Sequence, residues 1–124
     1  VIEVGVGDLR FQVERRTVDS GDGGVTIRVL VGTEEAIRFD PFEITPHYHY
    51  VSIGERQTID QVLTGDPVQW VFNLIQESLD VMLKHAGFLE EAEALDLDEA
   101  FNQVGRAVSA IEGILEAEGE STSP

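Results

Sequence analysis

The spacing of the apolar residues changes once along this chain, from two to between three and four, and that change restricts the fold more than any other feature. In the first half Leu9, Phe11 and Val13 alternate with Arg10, Gln12 and Glu14, and Val25, Ile27, Val29 and Val31 alternate with Thr26 and Arg28. A spacing of two sends successive side chains to opposite faces, so these segments predict strands buried on one side only. Asp19-Ser20-Gly21-Asp22-Gly23-Gly24 supplies the residues of a hairpin loop, and Gly32-Thr33-Glu34-Glu35 a shorter turn into residues 36–39, which together describe a meander. Pro41 and Pro46 remove backbone donors. Phe42-Glu43-Ile44-Thr45 is therefore expected as an edge or bulged segment ahead of a last strand over about residues 47–53.

The second half has helical spacing. Asp66-Pro67 gives an N-cap followed by proline in the first turn, and Gly87 stands where a left-handed C-terminal cap belongs, predicting a helix over about residues 67–86. Val68, Val71, Phe72, Ile75, Leu79, Met82, Leu83 and Ala86 form one apolar stripe of that helix, and Trp70, Leu74 and Val81 a second on another flank. A short helical turn is expected over residues 88–95. Asp96 with Glu99 three residues later starts a last helix, along which Leu97, Phe101, Val104, Val108, Ile111 and Leu115 are spaced as a heptad-type seam. The expected fold class is α+β: an N-terminal antiparallel β-meander of four or five strands with two longer C-terminal helices packed on one face. Residues 1–118 make a single domain on this reading, and residues 119–124 an acidic disordered tail.

Charge narrows the partners. Twenty-four acids against eight bases give the 124 residues a net charge of −16, and residues 63–124 hold thirteen of the acids against Lys84 and Arg106 alone. Nucleic acid and anionic membrane are excluded as partners on this count, since like charges oppose contact with phosphates. No apolar run reaches the ~20 residues of a membrane span, and the first residues lack a basic leader, so the expected location is cytoplasmic. There is no cysteine. Seven of the bases are arginine, which fits a salt-adapted protein or a GC-rich coding sequence equally well.

Pro46-His47-Tyr48-His49-Tyr50 is the least ordinary segment. On a strand both imidazoles share one face, about 6.6 Å apart along the backbone, and both phenols the other. Two histidines so placed can share a divalent transition metal, with Asp40, Glu43, Asp66 and His85 as candidates to complete the site. The plainer reading, which is preferred, packs Tyr48 and Tyr50 in the core or an interface and leaves the histidines on a partly exposed face. Asp19-Ser20-Gly21-Asp22-Gly23 has glycine at positions three and five, where a calcium loop needs oxygen ligands, and is read as a turn. Gly5-Val6-Gly7 continues to Arg10 where a dinucleotide fingerprint needs glycine. Arg10, Arg28 and Arg38, with Arg15 and Arg16 at a strand end, either clamp a carboxylate or phosphate or, as preferred, pair with Glu14, Asp40 and Glu43. The acidic run from Glu90 to Glu99 is a solvated surface, or in the sharper reading a docking face for a basic protein.

Arg38-Phe39-Asp40-Pro41-Phe42-Glu43, Pro46-His47-Tyr48-His49-Tyr50 and Gly65-Asp66-Pro67-Val68-Gln69-Trp70 together resemble a small family of uncharacterised bacterial domains with a PHYHY-type stretch ahead of a helix. The resemblance implies a shared fold and a shared site, and transfers no mechanism. The leading expectation is a non-enzymatic association module without a cofactor, homodimeric through the surplus stripe of Trp70, Leu74 and Val81. The alternative is a domain, enzymatic in its strongest form, that binds a divalent metal or small ligand at His47 and His49.

A charge of −16 on a chain this short opposes its own folding. The melting temperature should rise as salt is added and level off by ~0.5 M NaCl, where the screening length is only a few ångströms. A melting curve independent of salt would mean that the acids are compensated locally.

Overall fold

Every strand of the sheet pairs antiparallel with its neighbour in sequence, so strand order in space is strand order in the chain. The computed structural model describes residues 1–58 and 65–121, with side chains to residue 113. The strands are β1 (Ile2–Val6), β2 (Leu9–Thr17), β3 (Gly23–Val31), β4 (Glu34–Asp40), β5 (His47–Tyr50) and β6 (Glu55–Thr58). The helices α1 (Pro67–His85), α2 (Leu89–Ala94) and α3 (Leu97–Ser121) follow. This is the expected α+β architecture, and among the described residues no helix is long and apolar enough to cross a membrane. The tail expected from residue 119 falls where side chains lie outside the described residues.

The alternation places one set of strand residues under the helices. Leu9, Phe11, Val13, Ile27, Val29, Ile37 and Phe39 are buried against Val71, Ile75, Leu79 and Leu83 of α1 and Val104 and Val108 of α3. Asp66 caps α1 by accepting the Val68 and Gln69 N–H groups, with Pro67 behind it. At the other end Gly87, at φ 99°, lets the Gly87 and Phe88 N–H groups reach the carbonyls of Lys84 and Leu83, a Schellman closure. The Asp96 carboxylate accepts the Glu99 N–H at the start of α3.

Two expectations about the sheet need correcting. Among the described residues there are six strands, because β6 pairs with β5 although all four of its residues are exposed and none is apolar, which leaves no alternation to read. Residues 42–45 form a loop and not an edge strand, and the strand expected over residues 47–53 ends at Tyr50, after which Val51–Ile53 make a 3-10 turn closed by Gly54. The loop is held from below by Asp22. Its carboxylate, only 5% exposed, accepts the backbone N–H groups of Gly23, Ile44 and Thr45, at 2.8, 2.9 and 2.8 Å.

The stripes of the helices also divide differently from expectation. Val104 and Val108 of the α3 seam are buried, Leu97 and Ile111 pack against the core, and the half-buried Phe101 meets the Phe72 ring edge to face at 6.1 Å; Leu115 lies outside the described side chains. On the second stripe of α1, Leu74 packs on the core, while Trp70 is 36% and Val81 62% exposed.

Burial works to raise the pKa of Asp22, but the N–H groups of Ile44, Thr45 and Gly23, with His47 nearby, outweigh it and hold the carboxyl below its ordinary value. A carboxyl more acidic folded than unfolded adds stability above its unfolded pKa, about 3.9, and loses it as pH falls through the folded value. Melting temperature should therefore drop below about pH 4, and Asp22→Ala should remove that part of the drop. At pH 7 Asp22→Ala should cost about 2 kcal/mol in urea unfolding, since three donors lose a charged acceptor.

Candidate metal centre

The face of the sheet away from the helices carries the polar half of each alternation, and β5 sits where that face is most crowded with charge. Its histidines point to the open face and its tyrosines toward the helices, where Tyr50 is buried and Tyr48 packs its ring 5.9 Å from that of Phe39. Desolvation raises the Tyr50 pKa to about 12, helped by the charge of and a hydrogen bond with Tyr48, so this phenol stays neutral. Register sets the neighbours: His47 lies opposite Asp40 and His49 opposite Arg38 on β4, and on the other side His49 lies opposite Arg56 of β6.

Asp40 is the centre of the group. It is 1% exposed, and its Oδ1 accepts the Thr26 hydroxyl at 2.7 Å. Its Oδ2 accepts from Arg38 Nε at 3.2 Å, and Arg16 Nη1 stands 3.6 Å from Oδ1. The same Oδ2 is 3.2 Å from His47 Nε2 and 3.7 Å from His49 Nε2, and one ligand atom from each of the three residues lies within 4.8 Å of the others. Two ligands bound tetrahedrally to zinc at 2.0–2.1 Å are themselves about 3.3 Å apart. The two carboxylate–imidazole distances are thus close to the separation a shared ion imposes.

The tautomer of His47 follows from a neighbour. Its Nδ1 is 2.8 Å from the Thr45 carbonyl oxygen, which can only accept, so Nδ1 carries a proton. In the neutral ring Nε2 then presents a lone pair to a carboxylate oxygen at 3.2 Å, and that contact is favourable only with a cation shared between them, a proton or a metal. A backbone carbonyl on the far nitrogen is also the arrangement that orients metal-binding histidines. For His49, burial is the largest influence and lowers the pKa; Arg38 and His47 lower it further, and Asp40 opposes them. His49 is therefore a neutral donor near pH 7.

The other residues singled out in the sequence do other work. His85 lies on the helix side, its Nε2 2.7 Å from Glu55 Oε2 and its ring 4.6 Å from that of Tyr50. Asp66 is committed to the α1 cap, and Glu43 lies in the loop after β4, its N–H donating to the Gly23 carbonyl. Among the described residues, Asp40, His47 and His49 make up the group, and Asp40 alone of the four candidates joins the histidines. Of the expected arginine partners, Glu14 and Asp40 are found paired, while Glu3 and Glu35 are partners the sequence did not name. Arg28 bridges Glu14 and Glu35, Arg10 meets Glu3 at 3.0 Å, and Arg38 pairs with Asp40 along its own strand. Thr26 and Arg56 are not legible as site residues in sequence, and Arg16 only as part of a general arginine clamp or pair, because the pairing of β2 through β6 is what gathers them on one face. The one available signal is that Asp40 and His47 flank a single proline-bounded loop and so face each other across a hairpin.

An antiparallel meander with helices on one face and a carboxylate–imidazole group on the other defines a small α+β domain. The sequence pattern of a family described as Domain of unknown function (DUF7700) matches residues 3–111, and the chain belongs to that family. No curated protein and no solved structure matches it.

Proposed function

We propose that the domain binds a divalent transition-metal ion through Asp40 Oδ2, His47 Nε2 and His49 Nε2. The observation that carries this reading is the convergence of the three ligand atoms, with the Nδ1 of His47 committed to a carbonyl so that Nε2 faces the carboxylate. Two imidazoles and one carboxylate suit zinc, nickel, copper or ferrous iron and are a poor set for calcium. Three protein ligands leave coordination positions open toward solvent, where a further ligand enters. Zinc or nickel at ~100 µM should raise the melting temperature of untagged, metal-free protein by several degrees, since free metal at one hundred times the dissociation constant stabilises by about 2.7 kcal/mol. The His47→Ala, His49→Ala double variant should lose that response when compared with its own metal-free melting curve, and calcium should have no effect. An unchanged melting curve with zinc and with nickel would return the histidines to ordinary strand residues.

The exposed Trp70 and Val81 support a second reading, homodimerisation through the free flank of α1. A dimer by light scattering at ~50 µM protein that dissociates on Trp70→Ala would establish it, because buried aromatic anchors carry much of an interface's energy. A monomer mass of 13.7 kDa would end it.

A further inference from the structure

A cavity of about 270 Å³ opens over Asp40, and its walls include Arg16, Arg38 and Arg56 with His47. Three of the chain's eight bases thus line one cavity on a protein of net charge −16. Two carboxylates are also in the wall, and both are engaged. Asp22 is spent on three backbone N–H groups, and Asp40 is shared by Thr26, Arg38, Arg16 and the histidines. The arginines are less fully occupied. The Arg16 side chain reaches Asp40 only at 3.6 Å and donates no hydrogen bond among the described residues, and the exposed Arg56 has no carboxylate partner among them. Elsewhere on the same sheet face the pattern is the reverse, since Arg10 and Arg28 are each held by glutamates.

We propose that this cavity is a binding site for a small phosphate-type dianion, held by the guanidinium groups of Arg16 and Arg56 with Arg38 fixed behind them by Asp40. Guanidinium groups offer paired N–H donors matched to oxyanions, and a dianion uses the charge of several at once where a monocarboxylate uses one. Three arginines against two committed aspartates leave the cavity with an excess positive charge that an anion neutralises. The site rests on the arginines and does not require a metal. With a metal on Asp40, His47 and His49, the same anion would stand beside the ion's open positions, and the two sites would reinforce each other.

The test separates the two. Protein freed of metal with a chelating resin, a soluble chelator being itself a polyanion, is titrated calorimetrically with inorganic phosphate at constant ionic strength. Saturable binding of one phosphate per chain is expected, weakened about tenfold or more by Arg16→Gln and by Arg56→Gln and unchanged by Arg106→Gln on α3. Arg56 is exposed on an edge strand, so its variant keeps the fold even if Arg16→Gln is destabilised. Phosphate heats no larger than those of chloride, or phosphate binding indifferent to Arg56→Gln, would overturn the proposal. Acetate binding as tightly as phosphate would overturn the assignment to a dianion. Phosphate binding that persists in the His47→Ala, His49→Ala variant supports the arginine site whatever the outcome with metal.

Discussion

The buried carboxylate of Asp40 is the constraint around which the open face of this sheet is arranged. A charge this deeply buried is tolerable only when its oxygens are satisfied, and each is: one by a hydroxyl from β3, with Arg16 of β2 3.6 Å away, the other by a guanidinium on its own strand. Those partners come from three adjacent strands, so the meander must be in register before the charge is compensated. A one-residue slip would turn Asp40 toward the apolar layer and His47 toward α1. The same register therefore fixes the core and the polar group, and neither can be altered alone.

The loop between β4 and β5 links that group to the hairpin before it. Asp22 holds the backbone at Ile44 and Thr45, and the Thr45 carbonyl in turn accepts the Nδ1 proton of His47. An aspartate in one turn thus sets the tautomer of a histidine on the open face through a single intervening residue. Phe42, buried within the same loop, puts its ring edge to face 5.6 Å from that of His47 and restricts the imidazole further. A histidine positioned by a carbonyl, an aromatic ring and a carboxylate has little freedom left, which is the condition for a preorganised ligand.

Much of this was legible before the fold was known, for physical reasons that also explain the rest. Period-two alternation and caps are local signals, so the strands of the meander, both ends of α1 and the start of α3 could be read directly. The common face of His47 and His49 is local too. Asp40 could only be named beside Glu43, Asp66 and His85, because choosing among them needs the β4–β5 pairing, which is tertiary. β6 had no apolar residue to announce it, and residues 42–45 looked extended although two prolines and a side chain anchor hold them as a loop. The stripe of Trp70, Leu74 and Val81 reads as one surface in the sequence, whereas packing divides it: Leu74 packs against the core and the other two are exposed.

The net charge gives a further reason to regard the open face as the working surface. A charge of −16 surrounds the molecule with a field that repels anions and concentrates cations. Arginines on such a protein are most stable when each is matched to a glutamate, as Arg10 and Arg28 are. Gathering Arg16, Arg38 and Arg56 around two aspartates that are already engaged runs against that tendency, and a structural role for Asp40 would need only one of them. The surplus lies beside two imidazoles whose ligand nitrogens converge on the same oxygen. Cation-binding donors and anion-binding donors at one place have a common physical use, a site where a metal and an anionic ligand neutralise each other's charge. The acidic remainder of the surface would then draw the cation toward the protein, while the arginines form the local region that an anion can approach.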